Sequence, residues 1–266
     1  MLLAVDIGNT NIVLSLFDQD EIVTQWRIAT DGRRTGDEYT SIILTLARDA
    51  EIDLSLVKKS IISSVVPSLI GPFVIVCQHI TKVQPFVLSS DLAMGKKLPV
   101  HLPDNSTREL GTDLLCNAIA AWKIFNGKPN IVVDFGTALT LTFTDHEGKI
   151  LGGTICPGLG TAVKALATNA AQLPYVSLEA PSSVIGSTTK SAIQSGIVFG
   201  YKGMVESLVK ECKREYAKES GHSESEVQVI ATGGLNSVLK PITDCFTLVD
   251  KDLTVKGLKI ISDIMQ

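Results

Sequence analysis

The chain has 266 residues, of which 45% are apolar and 20% are charged, a composition typical of a soluble globular protein with one large domain or two packed halves. The net charge of −4 and the aromatic content of 5% argue against a surface that binds nucleic acid. No apolar run is long enough to cross a bilayer, and the cysteines lack the spacing of a zinc site. We therefore expect a cytoplasmic protein with free thiols that binds neither nucleic acid nor membranes.

The first stretch of the chain is an apolar run that ends in a carboxylate and a glycine. Residues 2–7 are mostly aliphatic, which predicts a buried strand. Asp6 lies near the end of this run, and Gly8 and Thr10 come two and four residues after it. The glycine allows the backbone to approach a ligand closely, and the hydroxyl and amide groups beside it offer hydrogen bonds. A single copy of so short a motif fits an ordinary turn as well as a phosphate-binding loop.

Strands and helices alternate through the next hundred residues. The pattern predicts a β-hairpin over 11–28, a helix over 39–50, a strand over 60–66 followed by a helix beginning at Pro67, and a short strand over 84–88. Arg33 and Arg34 lie in a polar loop, where plain exposure explains them more simply than phosphate contact. Residues 89–109 lack periodicity, so we expect an irregular link with substrate contacts there. A helix is predicted over 111–125.

The strand-end motif then returns in altered form over residues 131–140, where Asp134, Gly136 and Thr137 take the corresponding places. The two aspartates are separated by about half of the chain. Such self-similarity predicts two related half-domains that face each other across a shared cleft. Two copies favour a clamp for nucleotide phosphates, because Mg²⁺ is held by a few carboxylates together with waters and phosphate oxygens.

The duplicated arrangement resembles the superfamily of actin-like sugar kinases and heat-shock ATPases. The fold class that follows is α/β, with two duplicated actin-like (ribonuclease H-like) half-domains at 1–110 and 111–266, each a mixed sheet with helices, around a central cleft. Neither the lysine P-loop pattern nor G-x-G-x-x-G after the first strand is present, which counts against those nucleotide-binding folds.

The second half repeats the order of the first. A hairpin is predicted over 139–155, helices from about 161, over 187–220 and over 253–264, and a strand over 227–231. The glycine-dense segment 152–160 fits an anion-binding loop before a helix and a tight turn equally well. Gly196 and Gly200 suggest close helix packing rather than a ligand site.

Three carboxylates are candidates for phosphoryl-transfer chemistry. Asp6 and Asp134 suit metal-ion work at the two phosphate loops, and Asp113 is the best candidate for a base near the acceptor. Asp113 also stands at the amino end of a predicted helix, where capping is the ordinary role of an aspartate. The residues alone leave both roles open.

Ten motifs in order along the chain carry a more specific resemblance, to type III pantothenate kinase. The five longest are Asp6-Ile7-Gly8-Asn9-Thr10-Asn11, Trp26-Arg27-Ile28-Ala29-Thr30, Ser63-Ser64-Val65-Val66-Pro67, Gly111-Thr112-Asp113 and Asp134-Phe135-Gly136-Thr137-Ala138. The others are Gly152-Gly153, Pro157-Gly158, Ser195-Gly196, Thr232-Gly233-Gly234 and Lys256-Gly257-Leu258.

This resemblance implies ATP-dependent phosphorylation of pantothenate, the first step towards coenzyme A, by a homodimer that uses Mg²⁺ with the nucleotide and a monovalent cation such as K⁺ or NH₄⁺. It implies that Asp113 is the general base and that Asp134 binds the monovalent cation. The implied ATP-binding residues are Asp6, Ile7, Gly8, Asn9, Thr10, Asn11, Ile12, Val13 and Thr137. The implied pantothenate-binding residues are Gly111, Thr112, Asp113, Leu114 and Thr189.

Two departures from the family pattern concern the pantothenate side. The family pattern reads G-x-D-R, but Leu114 stands where the arginine would supply a fixed cation. The segment 102–106 lacks a tyrosine that the family commonly has. Two other functions therefore stay open beside an active pantothenate kinase: a catalytically weakened nucleotide-binding regulator, and a kinase of the same fold for another small alcohol. Arg108 is a possible replacement for the missing cation.

Overall fold

The computed structural model describes residues 1–89, 91–92, 98–102, 110–234 and 236–265. The chain forms two compact units, Met1–Ala120 with Leu253–Gln266 and Ala121–Asp252. This division differs from the predicted halves 1–110 and 111–266, because the closing helix and the first part of the helix after residue 110 belong to the first unit. Among the described helices, none is both long and apolar enough to cross a membrane.

The first unit contains a five-stranded mixed sheet in the order β3-β2-β1-β4-β5. Its strands are β1 (Leu2–Ile7), β2 (Asn11–Asp18), β3 (Glu21–Ala29), β4 (Lys59–Ser64) and β5 (Phe86–Val87). Strands β1 to β3 pair antiparallel, while β4 pairs parallel with β1 and with β5. The parallel pairing brings the carboxyl ends of β1 and β4 to one edge, with Asp6 opposite Ser63.

The helices of the first unit begin where the sequence supplies helix-starting residues. They are α1 (Gly36–Asp49), α2 (Ile70–Thr81), α7 (Leu253–Ile264) and α3 (Thr112–Ile124), of which residues 121–124 belong to the second unit. Thr35 and Glu38 form a capping box at the start of α1, and Pro67 opens a 3₁₀ turn that leads into α2. One core joins α1 and α2 to β1, β2 and β4, and contains the rings of Tyr39 and Phe73, whose centroids are 4.8 Å apart.

The second unit repeats this sheet in the order β10-β9-β6-β7-β8. Its strands are β6 (Asn130–Phe135), β7 (Ala138–Thr144), β8 (Ile150–Pro157), β9 (Gln228–Thr232) and β10 (Leu248–Val249). Its helices are α4 (Leu159–Asn169), α5 (Thr189–Ser220) and the short α6 (Asn236–Leu239). An antiparallel hairpin again precedes the parallel strands. The predicted α/β class with two duplicated mixed sheets is therefore confirmed.

Three local expectations need correction or extension. Gly152 and Gly153 lie inside β8, paired with β7, so the glycine-dense segment is a loop only at its end. No heavy atom of the described residues lies within 4 Å of a Cβ built at Gly196 or Gly200, so the expected close packing there is wrong. The two-residue β10 was not predicted, because so short an apolar pair has no periodicity to detect.

Gly257→Ala is expected to destabilise the first unit. A Cβ at this position of α7 would lie 2.5 Å from the carbonyl carbon of Cys116 and 2.8 Å from its Cα, so the two helices would have to separate. Overpacking of this kind costs about 1–3 kcal/mol, which urea unfolding followed by circular dichroism can measure.

Gly200→Ala is the matched control for that variant. Gly200 also lies inside a helix, and open space surrounds it among the described residues. Replacing such a glycine with alanine stabilises a helix by about 0.5–1 kcal/mol. Equal unfolding free energies for the two variants would contradict the close contact between α7 and α3.

Candidate active site

The turn between β1 and β2 is the first predicted phosphate loop. The Gly8 N–H donates to the Asn11 carbonyl at 3.0 Å and closes the turn. Thr30, at the end of β3, holds the loop from the side: its hydroxyl donates to the Gly8 carbonyl at 2.7 Å, and its N–H donates to the Thr10 carbonyl at 3.0 Å. A fixed loop with exposed Asn9 and Thr10 is suited to contact phosphate oxygens.

Not every residue of this predicted ATP-binding segment presents a side chain. Ile7 and Ile12 pair across the hairpin, and both side chains are fully buried in the core. Any contact they make with a nucleotide must therefore use their backbone. Asp6 and Val13 are partly buried and also pair across the hairpin.

The amino end of α3 is attached to the end of β4 by a buried pair of hydroxyls. Thr112 donates to the Ser64 carbonyl at 3.3 Å, and the hydroxyls of Ser63 and Thr112 are hydrogen-bonded to each other at 2.8 Å. Since Ser63 is the in-register neighbour of Asp6 on β1, this contact brings the start of α3 to the edge of the sheet where Asp6 lies.

Asp113 follows directly on α3 and has a carboxylate turned back over Gly111. A Cβ built at Gly111 would collide with Oδ1 of Asp113, so only glycine leaves this position open. The Leu114 N–H donates to the same Oδ1 at 2.8 Å. Burial raises the pKa of the Asp113 carboxyl above its ordinary value, and this hydrogen bond offsets the rise only in part. A raised pKa makes the carboxylate a stronger base.

Cys116 lies one turn further along α3, fully buried near both carboxylates. Burial raises the pKa of its thiol well above the ordinary value, the negative charges of Asp6 and Asp113 raise it further, and a hydrogen bond with Ser63 lowers it. The thiol is therefore neutral. No role of Cys116 was predicted from the sequence. Its three-residue spacing from Asp113 on a predicted helix places the two side chains on the same helix face, which was the signal that could have identified it.

The turn between β6 and β7 is the second predicted phosphate loop. It is closed by a 3.1 Å hydrogen bond from the Gly136 N–H to the Ala138 carbonyl. The Thr137 carbonyl accepts from the Gly158 N–H at 3.0 Å and from the Thr161 hydroxyl at 2.6 Å. The loop thus lies against the amino end of α4, which has no side-chain cap. Uncapped N–H groups and the helix dipole favour an anion beside Thr137.

Asp134 ends β6 beside the turn that follows β9. Gly233 of that turn has a φ of +88°, and a Cβ there would lie 2.6 Å from Oδ1 of Asp134. Glycine is therefore required both by the backbone conformation and by the nearness of the carboxylate. This close approach gives Asp134 a fixed and partly buried place in the second unit.

The remaining predicted site residue, Thr189, is the first residue of α5 and is exposed. Its neighbour Thr188 caps the helix together with Ser191. The structure thus groups Asp6, Thr112 and Asp113 at one sheet edge of the first unit. Asp134 and Thr137 lie at the corresponding edge of the second unit.

Comparison with known proteins identifies the family. The sequence model of type III pantothenate kinase matches residues 2–211. The type III pantothenate kinase of Exiguobacterium sibiricum is 40% identical over 261 residues, which cover 98% of both chains. This chain belongs to the type III pantothenate kinase family.

Solved structures share the fold at lower identity. A Campylobacter jejuni protein assigned to the Baf family of transcriptional activators is 18% identical, with a TM-score of 0.57 and coverage of 98% of this chain and 97% of that one. Component A of the (R)-2-hydroxyglutaryl-CoA dehydratase of Acidaminococcus fermentans is 14% identical, with a TM-score of 0.51 and coverage of 100% and 99%. These likenesses support the actin-like fold alone.

At the position where the pantothenate kinase pattern has an arginine, Leu114 supplies no positive charge beside Asp113. Among the described residues, no lysine or arginine contributes to the pKa of Asp113. Leu114 itself is partly buried. Arg108 and positions 103–106, which sequence analysis singled out as a possible replacement and as an altered segment, lie outside the described residues.

Gly111→Ala is expected to lower the pKa of the Asp113 carboxyl towards its ordinary value. The new methyl group would displace the carboxylate from its shielded position, so burial would raise the pKa less. A pH titration followed by ¹³C NMR of labelled aspartate measures this. Gly71→Ala, where no described heavy atom lies within 4 Å of the added Cβ, is the control. An unchanged Asp113 pKa in Gly111→Ala would contradict the geometry.

Proposed function

We propose that this protein transfers the γ-phosphoryl group of ATP to the hydroxyl group of pantothenate, giving 4′-phosphopantothenate and ADP, the first step of coenzyme A biosynthesis. The observation that carries the proposal is the family match over residues 2–211, together with a carboxylate of raised pKa at the start of α3. The 40% identity with a type III pantothenate kinase over nearly the whole chain supports it.

The first unit supplies the acceptor side of the reaction. Asp113 accepts the proton as the pantothenate hydroxyl oxygen attacks the γ-phosphorus, and the bond to the ADP oxygen breaks. Phosphoryl transfer depends mainly on positioning and charge neutralisation, so one base held in place is sufficient. Ser63 and Thr112 hold the start of α3, and Gly111 leaves room for the carboxylate. Thr112 and Leu114 contact pantothenate, and Thr189, an exposed residue of the second unit, keeps the pantothenate-binding role that the family resemblance implies.

Each of the two predicted phosphate loops, the β1–β2 turn and the β6–β7 turn, binds phosphate oxygens of ATP. In the first unit the backbone of 8–11 and the side chains of Asn9 and Thr10 serve this role. In the second unit Thr137 and the uncapped N–H groups of α4 serve it. Mg²⁺ enters with the nucleotide, and Asp6 fits it because this ion is held by one or two carboxylates plus phosphates and waters.

Asp134 holds a monovalent cation, K⁺ or NH₄⁺. The residues fit such an ion: the partly buried carboxylate is negative, and the hydroxyl oxygen of its cross-strand neighbour Thr140 is buried without a partner among the described residues. When bound, the cation supplies fixed positive charge to the phosphates of ATP.

We also propose that the protein is a homodimer in the cytoplasm. Its support is the large exposed apolar side chains of the second unit, of which Ile155 and Ile185 are 77% and 87% exposed. The five cysteines are free, as a reducing compartment requires. Sedimentation equilibrium at micromolar protein concentration tests the dimer directly.

Leu114 stands where the family has an arginine beside the base, and this replacement is consistent with two other functions. A weakened regulator would bind ATP without transferring phosphate to pantothenate. A kinase for another small alcohol would turn over ATP only with a different acceptor. Both share the loops and Asp113, so they are distinguished by assay rather than by fold.

Asp113→Asn should reduce phosphoryl transfer to pantothenate by about 10²–10⁴-fold, the usual effect of losing a general base, while ATP affinity stays nearly unchanged. The kcat/KM of the wild type should fall as pH decreases through the raised pKa of Asp113, because the base must be ionised. This acid limb should be absent from the residual activity of the variant. Steady-state kinetics from pH 4 to 9 and calorimetric ATP titration measure both effects.

The Asp113→Asn variant also distinguishes a catalytic role of Asp113 from a helix-capping role. Because the folded-state pKa is raised, the folded protein binds the Asp113 proton more tightly than the unfolded chain. Stability therefore decreases as pH rises through the window from about 3.9 to the folded pKa. Asp113→Asn should be more stable than the wild type at neutral pH. Normal turnover, or a loss of stability from a missing cap, would contradict the role assigned to Asp113.

Leu114→Arg should raise kcat/KM for pantothenate by about 10-fold, because a guanidinium adds charge-assisted hydrogen bonds beside the acceptor. Leu114→Gln, which is polar but uncharged, is the control and should show little gain. Initial-rate kinetics with varied pantothenate concentration measure kcat/KM for each variant. If neither variant improves on the wild type, another group already fills the arginine's place.

A further inference from the structure

Asp134 is the centre of a row of three oxygen-bearing side chains. Strand β6 lies between β7 and β9, and Asp134 is directly opposite Thr140 on β7 and Thr232 on β9. Paired residues on neighbouring strands point to the same face of a sheet, with Cβ atoms about 4.5–5.5 Å apart in an antiparallel pair. The alternating residues Leu139 and Leu141 face the core of the second unit, so the row occupies the other face.

The hydroxyl of Thr140 is an unsatisfied group in this row. Its oxygen is buried, and no described residue provides it with a hydrogen bond. A buried hydroxyl without a partner is costly, and one that persists in a native structure indicates a missing water or ion. Its cross-strand neighbour is the Asp134 carboxylate, so a cation bound by that carboxylate would supply the partner of the Thr140 hydroxyl.

In the corresponding row of the first unit, neither neighbour of the aspartate has a hydroxyl oxygen without a hydrogen-bond partner. Asp6 is opposite Val13 on β2 and Ser63 on β4. Valine offers no ligand atom, and the Ser63 hydroxyl is used by Thr112. The two copies of the strand-end motif therefore differ in the row that crosses the aspartate, although their topology is the same.

We propose that the Thr140 hydroxyl is a ligand of the monovalent cation, which makes the cation site a property of the second copy of the motif alone. This inference rests on the cation site proposed at Asp134. A large monovalent ion binds oxygen ligands, including neutral ones, and the pair supplies one negative and one neutral oxygen. The backbone turn at Gly233, close to the carboxylate, closes the remaining side of the row.

The test is the dependence of thermal unfolding on KCl, with choline chloride keeping the ionic strength constant, with and without MgADP. Wild type should gain stability with K⁺. In Thr140→Val, a change of equal shape without the hydroxyl, the K⁺ concentration at half effect should rise about 10-fold. Thr140→Ser, which keeps the hydroxyl, should stay within about 3-fold of wild type.

A second readout distinguishes a lost ligand from a damaged fold. In K⁺-free buffer Thr140→Val should be at least as stable as wild type, because the partnerless hydroxyl has been removed. The order should reverse at saturating K⁺. Thr144→Val is the matched control: it lies on the same face of β7, its hydroxyl is also buried without a described partner, and its neighbour is Asn130. This control should leave the K⁺ dependence unchanged.

The inference is overturned if Thr140→Val has the K⁺ dependence of wild type, or if wild type itself does not respond to K⁺. Either result leaves the proposed kinase activity standing, provided that wild type releases ADP in a pantothenate-dependent manner. Absence of that release, with a normal K⁺ response, would instead reject the kinase function and retain the cation site.

Discussion

The attachment of α3 to the end of β4 is the contact on which the acceptor side of this protein depends. The hydroxyls of Ser63 and Thr112 are hydrogen-bonded to each other, and Thr112 donates to the carbonyl of the next strand residue. Both hydroxyls are buried, so each would be costly to leave without its partner. Because β1 and β4 are parallel and in register, this small contact decides where Asp113 stands relative to Asp6. Burial at the start of α3 also raises the pKa of the Asp113 carboxyl.

The duplicated architecture is specialised rather than symmetric. Each unit ends its first strand with an aspartate and a glycine-containing turn, but the surroundings of the two aspartates differ. Asp6 and Asp113 are both close enough to the neutral thiol of Cys116 to raise its pKa. Asp134 instead lies among hydroxyls and close to a glycine turn. The two copies of the motif therefore differ chemically, in agreement with the roles proposed for Asp113 as a base and for Asp134 as a cation ligand.

Much of the fold followed from hydrophobic periodicity, because the strands and long helices alternate in a regular order. The boundaries of α7 and the positions of both hairpins were predicted closely. Two signals were ambiguous or absent: the glycine density of 152–160 also fitted a loop, whereas β8 continues to Pro157, and nothing local identified Ser63 as the partner of Thr112. The latter contact joins residues far apart in the chain, so only the parallel pairing reveals it. The missing arginine at Leu114 was visible at once, but its consequence depends on groups that a sequence pattern does not place.

The proposed phosphoryl transfer to pantothenate, with Asp113 as the base, can be tested in one assay. The most direct measurement is ADP release from MgATP by the wild type, with and without pantothenate, in K⁺ and then in Na⁺, with mass spectrometry of the product. ADP release should depend on pantothenate, be stimulated by K⁺ and be accompanied by formation of 4′-phosphopantothenate. ATP binding without pantothenate-dependent release would contradict it and would favour a regulator or a kinase with a different acceptor.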